Sequence, residues 1–348
     1  MHCFDCQKTF TAGKERDKRE VVRRHLEDHT SYRSIERRDG CSKNTAVKFV
    51  HELGATVKDS AWIARNLRPK WRGVLCVDGT YVRVRNAFKK LAQREGWYKG
   101  EDEKFLQKLL ALIGTDYHTR DLPHYSIADN ENMIDLVLYF QQLKRNGYGL
   151  KVLVRDGNRT IEEATRHVYG LTFASQLCHH HFLAKFDDAI AARECSSKEK
   201  EELIHLKHRV CLIIRVPDIH LACERVNEFH REQNRFRTSA ITSELVDKVL
   251  RDFECLTMYL QYPKGFVPTT VNVAENMNKQ LKDRIKPMCM FQSIQSAENY
   301  LKLWCLKRRF QTFTDCKKPF RHLNGRAPLA KKHPFSTHPI LSLPLYKA

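Results

Sequence analysis

Three acids carry the chemistry that can be read first. VLCVDGT closes an apolar run on Asp78, LKVLVRDGN closes another on Asp156, and Glu275 lies far downstream in NVAENMNKQLKDRIK. Apolar runs of this length read as buried strands, and the Asp-Gly that ends each marks where a strand leaves its sheet. Carboxylates at such exits can converge with a helix-borne acid and grip divalent metal. Phosphoryl-transfer enzymes use such clusters, because hard oxygen ligands bind Mg²⁺ and two metals can activate an attacking oxygen while stabilising the leaving one. Asp116 and Asp129 compete with the first two positions, and Glu298 with the third.

Two further constellations hold thiols and imidazoles. Cys3 and Cys6 form a CxxC, the knuckle from which zinc sites are built, since two thiolates at that spacing chelate one ion. His25 and His29, at i, i+4, are candidates to complete a Cys₂His₂ site. The gap from Cys6 exceeds the usual finger spacing, so half of a two-knuckle ribbon with its first pair upstream competes with it. A metal-free CxxC beside two solvated helix histidines is a third reading. Cys178 and His181 make a CxxH where LTFASQLC runs into three histidines. This is half a metal site, a Cys/His nucleophile pair, or polar residues at a strand exit; neighbours in sequence seldom form a catalytic dyad.

The elements that must position these groups follow from pattern. In SYRSIERRDGCSKNTAVKFVHEL, Asp39-Gly40 breaks a short helix around Ile35, and Ser42 N-caps a second from Lys43 to about Glu52. A helix-turn-helix of this form would present Lys43, Asn44, Thr45 and Lys48 to a DNA major groove, with Arg33, Arg37 and Arg38 alongside. After Pro69 strands take over. VLCVDGTYVRVR reads as a strand, a glycine turn and a second extended run. FLQKLLALIGTDYHT, LPHYSIAD, LKVLVRD and LTFASQLC read as further strands, with helices over Met133–Lys144 and from Asn158 to about Tyr169. Strands followed by αβαβ alternation predict an α/β fold with a central mixed sheet. Residues 86–108 form a polar insertion without a clear place. Residues 191–262 read as an all-helical, charge-balanced insertion.

Beyond it, a helix through Glu275 puts Asn272, Glu275, Lys279 and Lys282 on one face. That face suits either a metal held against a phosphate backbone or routine solvated ion pairs. A basic helix follows in SAENYLKLWCLKRRFQTF, where Lys307, Arg308 and Arg309 are candidate DNA contacts.

Charge sorts along the chain. Lys and Arg against Asp and Glu number 17 to 10 over residues 1–73, 16 to 15 over 74–190, 12 to 12 over 191–260 and 16 to 4 over 261–348, which sums to the net +20. Two basic ends around a near-neutral middle favour a polyanionic partner, nucleic acid above all. The 12 cysteines show no repeating spacing and no secretory signal precedes them, so reduced thiols in a cytosol are expected. No apolar stretch reaches membrane-spanning length.

Taken in order, the CxxC knuckle, SYRSIERRDGCSKNTAVKFV, DGTYV, VRDGNRTIEEA, QLCHHH, AENMNKQLKDRI and KRRF resemble the DDE transposases of bacterial and archaeal insertion sequences, on the branch related to mutator-like elements. The resemblance runs to about residue 312 and rests on the order and spacing of the motifs. It implies a ribonuclease H-like mixed sheet with an all-helical insertion between the second and third acids, preceded by a small zinc-knuckle and helix-turn-helix region. The implied division is 1–66 for DNA binding (knuckle 1–10, helix-turn-helix 21–53), 70–190 and 263–312 for the catalytic domain, 191–262 for the insertion and 313–348 for a basic tail. It carries over Asp78, Asp156 and Glu275 as a catalytic triad binding Mg²⁺ or Mn²⁺, and Cys178 with His181 as the family's CxxH. Related chains often have two CxxC knuckles, whereas only Cys3/Cys6 stands here as a candidate Zn²⁺ pair. The activity implied is metal-dependent cleavage at element ends and strand transfer into target DNA. The partners implied are double-stranded DNA and a second copy of the chain, in the cytoplasm or nucleoid of a prokaryote. A non-catalytic DNA-binding regulator and a ribonuclease H-like nuclease without strand transfer are the rival functions.

Overall fold

The computed structural model describes residues 18–27, 30–85, 106–192, 196–288 and 290–329. The polar insertion that the sequence left unplaced therefore lies almost wholly outside the described residues.

Four helices lead into the sheet: α1 Lys18–Glu27, α2 Tyr32–Asp39, α3 Lys43–Thr56 and α4 Ser60–Leu67. The α2–α3 boundary follows the expected turn chemistry. Gly40 closes α2 at φ 61°, and the Ser42 hydroxyl accepts the Thr45 amide at 3.1 Å to open α3. Their inner faces, Tyr32, Ile35, Ala46 and Val50, enter a large apolar core shared with the sheet and the carboxy-terminal helices. Contact is closest at Gly54, where an added Cβ would lie 2.5 Å from the Asn299 carbonyl oxygen of the last long helix. Two backbones meet there with no room for a methyl group. Gly54→Ala is expected to cost about 1–3 kcal/mol by overpacking, read as a lower melting temperature; an unchanged melt would mean that the helices separate freely.

The sheet has five strands in the order β3-β2-β1-β4-β5: β1 Val74–Arg85, β2 Leu106–Asp116, β3 His124–Ala128, β4 Val152–Arg155 and β5 Ala174–Leu177. β1 pairs antiparallel with β2, and β2 with β3, whereas β1–β4 and β4–β5 are parallel. The mixed sheet is as expected; one detail is corrected. VLCVDGTYVRVR is a single strand that runs straight through Asp78 and Gly79, which sit opposite Ile113 and Leu112. Gly79 makes no turn. A Cβ there would lie 2.7 Å from Leu110 Cδ1 and 3.0 Å from Glu131 Oε1, so this glycine admits close neighbours.

Strand alternation separates two cores. Leu109, Ala111 and Ile113 face the helical core above, and Leu110 and Leu112 face α5 (Met133–Arg145) and α6 (Arg159–Tyr169) below. On β1 the upper row is Val74, Cys76, Asp78, Thr80, Val82 and Val84, in which Asp78 is the one acid.

β5 leads into α7 (His179–Ala191), then into three helices with their own core: α8 Ser197–Ile214, α9 Ile219–Glu232 and α10 Ala240–Thr257. Charge balance and helical period had marked this insertion. It is tied back to the sheet edge by polar bonds: Gln176 Oε1 accepts from Tyr259 N at 2.8 Å, His179 Nε2 meets Leu256 O at 2.7 Å, and His179 N donates to Thr269 O at 2.8 Å. The chain then returns over the sheet as α11 (Asn272–Ile285) and α12 (Ile294–Phe310), burying Ala274, Met277 and Leu281 and then most of α12. Among the described residues no helix is long and apolar enough to cross a membrane.

Candidate carboxylate site

Asp78 and Asp156 occupy neighbouring parallel strands on the same face of the sheet, one within β1 and the other just past the end of β4. In both strands the preceding residues of that row (Val74, Cys76, Val152 and Val154) are buried in apolar packing, so an acid here is unexplained by the core. α11 lies across them. Asn278, one turn beyond Glu275, donates Nδ2 to Asp78 Oδ2 at 2.8 Å, and Gly79 N donates to Asp78 Oδ1 at 2.9 Å. Burial pushes the Asp78 carboxyl above the ordinary aspartate range. The bonds from Asn278 and Gly79 oppose that rise, and the negative charge of Asp156 adds to it.

Asp156 is held from its flanks. Arg155, itself buried, donates Nη1 to the Asp156 carbonyl at 3.0 Å and pairs with Glu162. Burial works against ionisation of Glu162, but Arg155 and then Arg166 outweigh it and hold its pKa below the usual range. Asn158, the N-cap of α6, donates its backbone amide to Asp156 Oδ1 at 2.9 Å. Lys185 of α7 reaches over the same turn, its Nζ lying 2.9 Å from where a Gly157 Cβ would stand.

Glu275, half-buried in the first turn of α11, meets His181 of α7: Nε2 lies 3.4 Å from Glu275 Oε1. The neighbouring Cys178 sulfur, as a side-chain partner, does most to raise the His181 pKa. Burial opposes the rise, while Cys178, Glu275 and Asp156 add electrostatic attraction, leaving it at about 9. His181 is therefore an imidazolium at neutral pH. Its Nδ1 has no aligned hydrogen-bond partner, so the influence of Cys178 is exerted without a well-formed bond. The CxxH thus supplies a cation to the carboxylates. His179, by contrast, is a structural residue of the insertion's anchor.

Glu131 is a fourth acid that sequence reasoning missed. It precedes the N-cap of α5 and accepts Asn158 Nδ2 at 2.6 Å. Burial raises its pKa, the Asn158 bond opposes this, and Asp156 and Asp78 raise it further. Asn158, Asn278 and Lys185 were also missed. The only signal was local: Glu131 stands two residues after the weighed Asp129.

The rivals lie elsewhere. The Asp116 carboxylate is used up inside the fold, accepting from the Arg72, Gly73 and Thr119 amides, Thr119 Oγ1 and Tyr148 OH at 2.9–3.2 Å. Asp129 is exposed and accepts from Gln107 at 3.3 Å. Glu298 sits on α12, the helix packed against α3. Among the described residues no three His, Cys, Asp or Glu side chains stand close enough together to hold one metal ion, so the acids are neighbours without forming a closed cage. Beside Glu275 opens a groove of about 800 Å³, with His180, Lys207, Arg215, Tyr259 and Asn272 in its walls.

The expected nucleic-acid contacts divide. Arg33, Ser42, Lys43, Asn44 and Lys48 are exposed, with Thr45 half-buried; the Ser42 hydroxyl is committed to its cap, and Lys48 lies 3.7 Å from Glu52. Lys279 and Lys282 are exposed on α11. The carboxy-terminal trio is corrected. Lys307 is buried and donates to Leu26 O at 2.8 Å, and Arg309 is fully buried against Asp121 with two bonds of 2.8 Å. Arg308 lies over the Phe313 ring, and burial lowers its pKa. These cations bind the fold together, and none of the three forms an exposed basic face.

Cys3, Cys6 and His29 lie outside the described residues. His25 is inside the core, stacked on Tyr32 at 4.0 Å, with Nδ1 on Thr30 O at 2.8 Å and Nε2 on Met288 Sδ at 3.3 Å. Burial lowers its pKa to about 4. Both ring nitrogens are occupied, which removes His25 from a zinc set.

Against known families, residues 101–311 match the model of the Mutator family of transposases. The match takes in Asp156, Cys178, His181 and Glu275 and begins downstream of Asp78. No curated protein matches the chain.

Proposed function

We propose that this chain, which belongs to the Mutator family of transposases, cuts DNA at the ends of a mobile element and joins the freed strand to target DNA, with Asp78, Asp156 and Glu275 as the reacting-site acids. One observation carries the assignment. Two acids from adjacent parallel strands share a sheet face, and a helix laid over that face bonds one of them while bringing a third acid to the same imidazolium. The strand order, with its helical insertion between the second and third acids, supports the ribonuclease H-like reading.

The donor set fits a hard divalent cation. It consists of carboxylate oxygens and the amide oxygen of Asn278, which is buried beside Asp78 without a partner. Mg²⁺ or Mn²⁺ bound here supplies an activated water or hydroxyl oxygen and relieves charge on the phosphate. The chain's own groups do the rest. Asp78 is fixed within a continuous strand, and Asp156 is held by Arg155 and Asn158. His181 neutralises Glu275 in the absence of cation, which keeps α11 in place against its like-charged neighbours. Lys185, Lys279 and Lys282 are placed to hold phosphate oxygens, and the groove beside Glu275 accommodates a strand leaving the site. In the first step water adds to phosphorus and the P–O3′ bond breaks, leaving a 5′-phosphate and a free 3′-OH. In the second, that 3′ oxygen forms a new P–O bond in the target and displaces the target's own 3′ oxygen. Bringing two ends together calls for at least two copies of the chain.

The test uses the full chain, duplex DNA carrying the element's own ends, a supercoiled target and Mg²⁺. Joined product is the expected result. Binding without cutting, with or without metal, would favour a regulator, and cutting without joining a nuclease.

End recognition is assigned to α2 and α3. Their exposed N-terminal residues on α3 suit a major-groove reader, because helix and turn leave Lys43, Asn44 and Lys48 outside the core. Lys43→Ala with Asn44→Ala is expected to weaken binding to the ends by about tenfold or more in a mobility-shift titration, from one or two lost base or phosphate contacts. Undiminished affinity would remove α3 as the reader.

A further inference from the structure

Glu131 has more than a chance place beside the three acids. Its Oε2 accepts Asn158 Nδ2 at 2.6 Å, and the Asn158 backbone amide donates to Asp156 Oδ1 at 2.9 Å, so two bonds link it to Asp156. Its Oε1 approaches the backbone next to Asp78, 3.0 Å from the Cβ position that Gly79 leaves empty. A side chain at residue 79 would close that approach. Glu275 has His181 as a cationic neighbour, but among the described residues no Lys, Arg or His nitrogen lies within 4 Å of Glu131.

A second, independent observation points to a ligand. Asn278 is 3 % exposed and gives its Nδ2 to Asp78, while its Oδ1 is buried with no donor. Buried acceptors are rarely left without a partner, and an acid without a cation beside two other acids is costly. A divalent cation with oxygen preference resolves both.

We propose that Glu131 is a fourth carboxylate of the cation site, contributing negative charge on the flank between Gly79 and Asn158 and steadying Asp156 through Asn158. This rests on the reading of Asp78, Asp156 and Glu275 given above. It differs from a purely structural role in one respect: charge is needed, not only an oxygen that accepts from Asn158.

Glu131→Gln separates the two, since it keeps such an oxygen and loses the charge. The measurement is Mn²⁺ binding to the full chain without DNA, followed by the loss of free-Mn²⁺ electron paramagnetic resonance signal. Glu131→Gln is expected to weaken Mn²⁺ about tenfold or more, a scale typical of groups that support metal ligands, while Glu131→Asp stays within about threefold. Wild-type affinity in Glu131→Gln, or equal weakening in both variants, overturns the proposal. Asp156→Asn serves as the reference. If it weakens Mn²⁺ and Glu131→Gln does not, Glu131 alone is misassigned. If neither changes binding, the three-acid reading falls as well. Should Glu131→Gln not fold, Asn158→Ala replaces it: loss of Mn²⁺ affinity is expected, and unchanged affinity overturns the link to Asp156.

Discussion

Asp156→Asn is expected to lower both cleavage and strand transfer by about three orders of magnitude or more, while binding of the element ends stays within about twofold. The substitution is nearly isosteric, and an amide oxygen can still accept from the Asn158 backbone. Arg155 still holds the residue 156 carbonyl, so the turn after β4 keeps its shape. What disappears is a negative charge at the point where Asp78, Glu131 and His181 all sense it. A thousandfold loss corresponds to about 4 kcal/mol of transition-state stabilisation, the scale of metal-assisted phosphoryl transfer. Rates of nicking and joining in Mg²⁺ would read it out. Full activity in this variant would take Asp156 out of the reacting set, and lost end binding would mean that the substitution had disturbed the fold.

The second large effect is on stability. Asp121→Ala is expected to cost about 3–5 kcal/mol in urea denaturation, because it strands a charge where water does not reach. Arg309 is fully buried and gives Nε and Nη2 to the Asp121 carboxylate, which also accepts Trp71 Nε1 at 2.7 Å. Nothing else among the described residues offers that guanidinium a carboxylate. Pairing Asp121→Ala with Arg309→Met is expected to recover much of the loss, since the uncompensated charge goes with it. A small loss in the single variant, or none recovered in the double, would mean that the pair is not isolated from solvent as the structure has it.

The same pair shows where reading a sequence stops. KRRF invites a basic face, but whether Arg309 turns outward depends on Asp121, 188 positions earlier. Helical period alone cannot supply that partner. Asp78-Gly79 misled for the opposite reason. Asp-Gly is a sound local turn signal, yet here glycine is required by Leu110 and Glu131 approaching from β2 and the α5 entrance. Features whose cause lies within a few residues were legible. Gly40 and Ser42 marked the break between α2 and α3, Asn158 opened α6, and the neutral helical stretch before Glu275 was placed correctly. Asp78, Asp156 and Glu275 could be picked out as acids in unusual settings, whereas Glu131 could not. Its nearness to them is made by sheet order, which puts the β3–α5 connection beside the β4 exit.

The missing Cβ at Gly54 has a consequence of scale. Backbone-to-backbone contact joins α3 to α12, and α12 shares its core with β1, the strand that carries Asp78. With α3 as the reader of the element's end, reader and cutter are one stiff body. A base pair advances roughly 3.4 Å and turns the duplex by about 35°. One extra pair between the recognised bases and the cut would therefore carry the scissile bond away from the acids and around the helix. The fold acts as a gauge, and the length it measures is set where two helices touch with nothing between them.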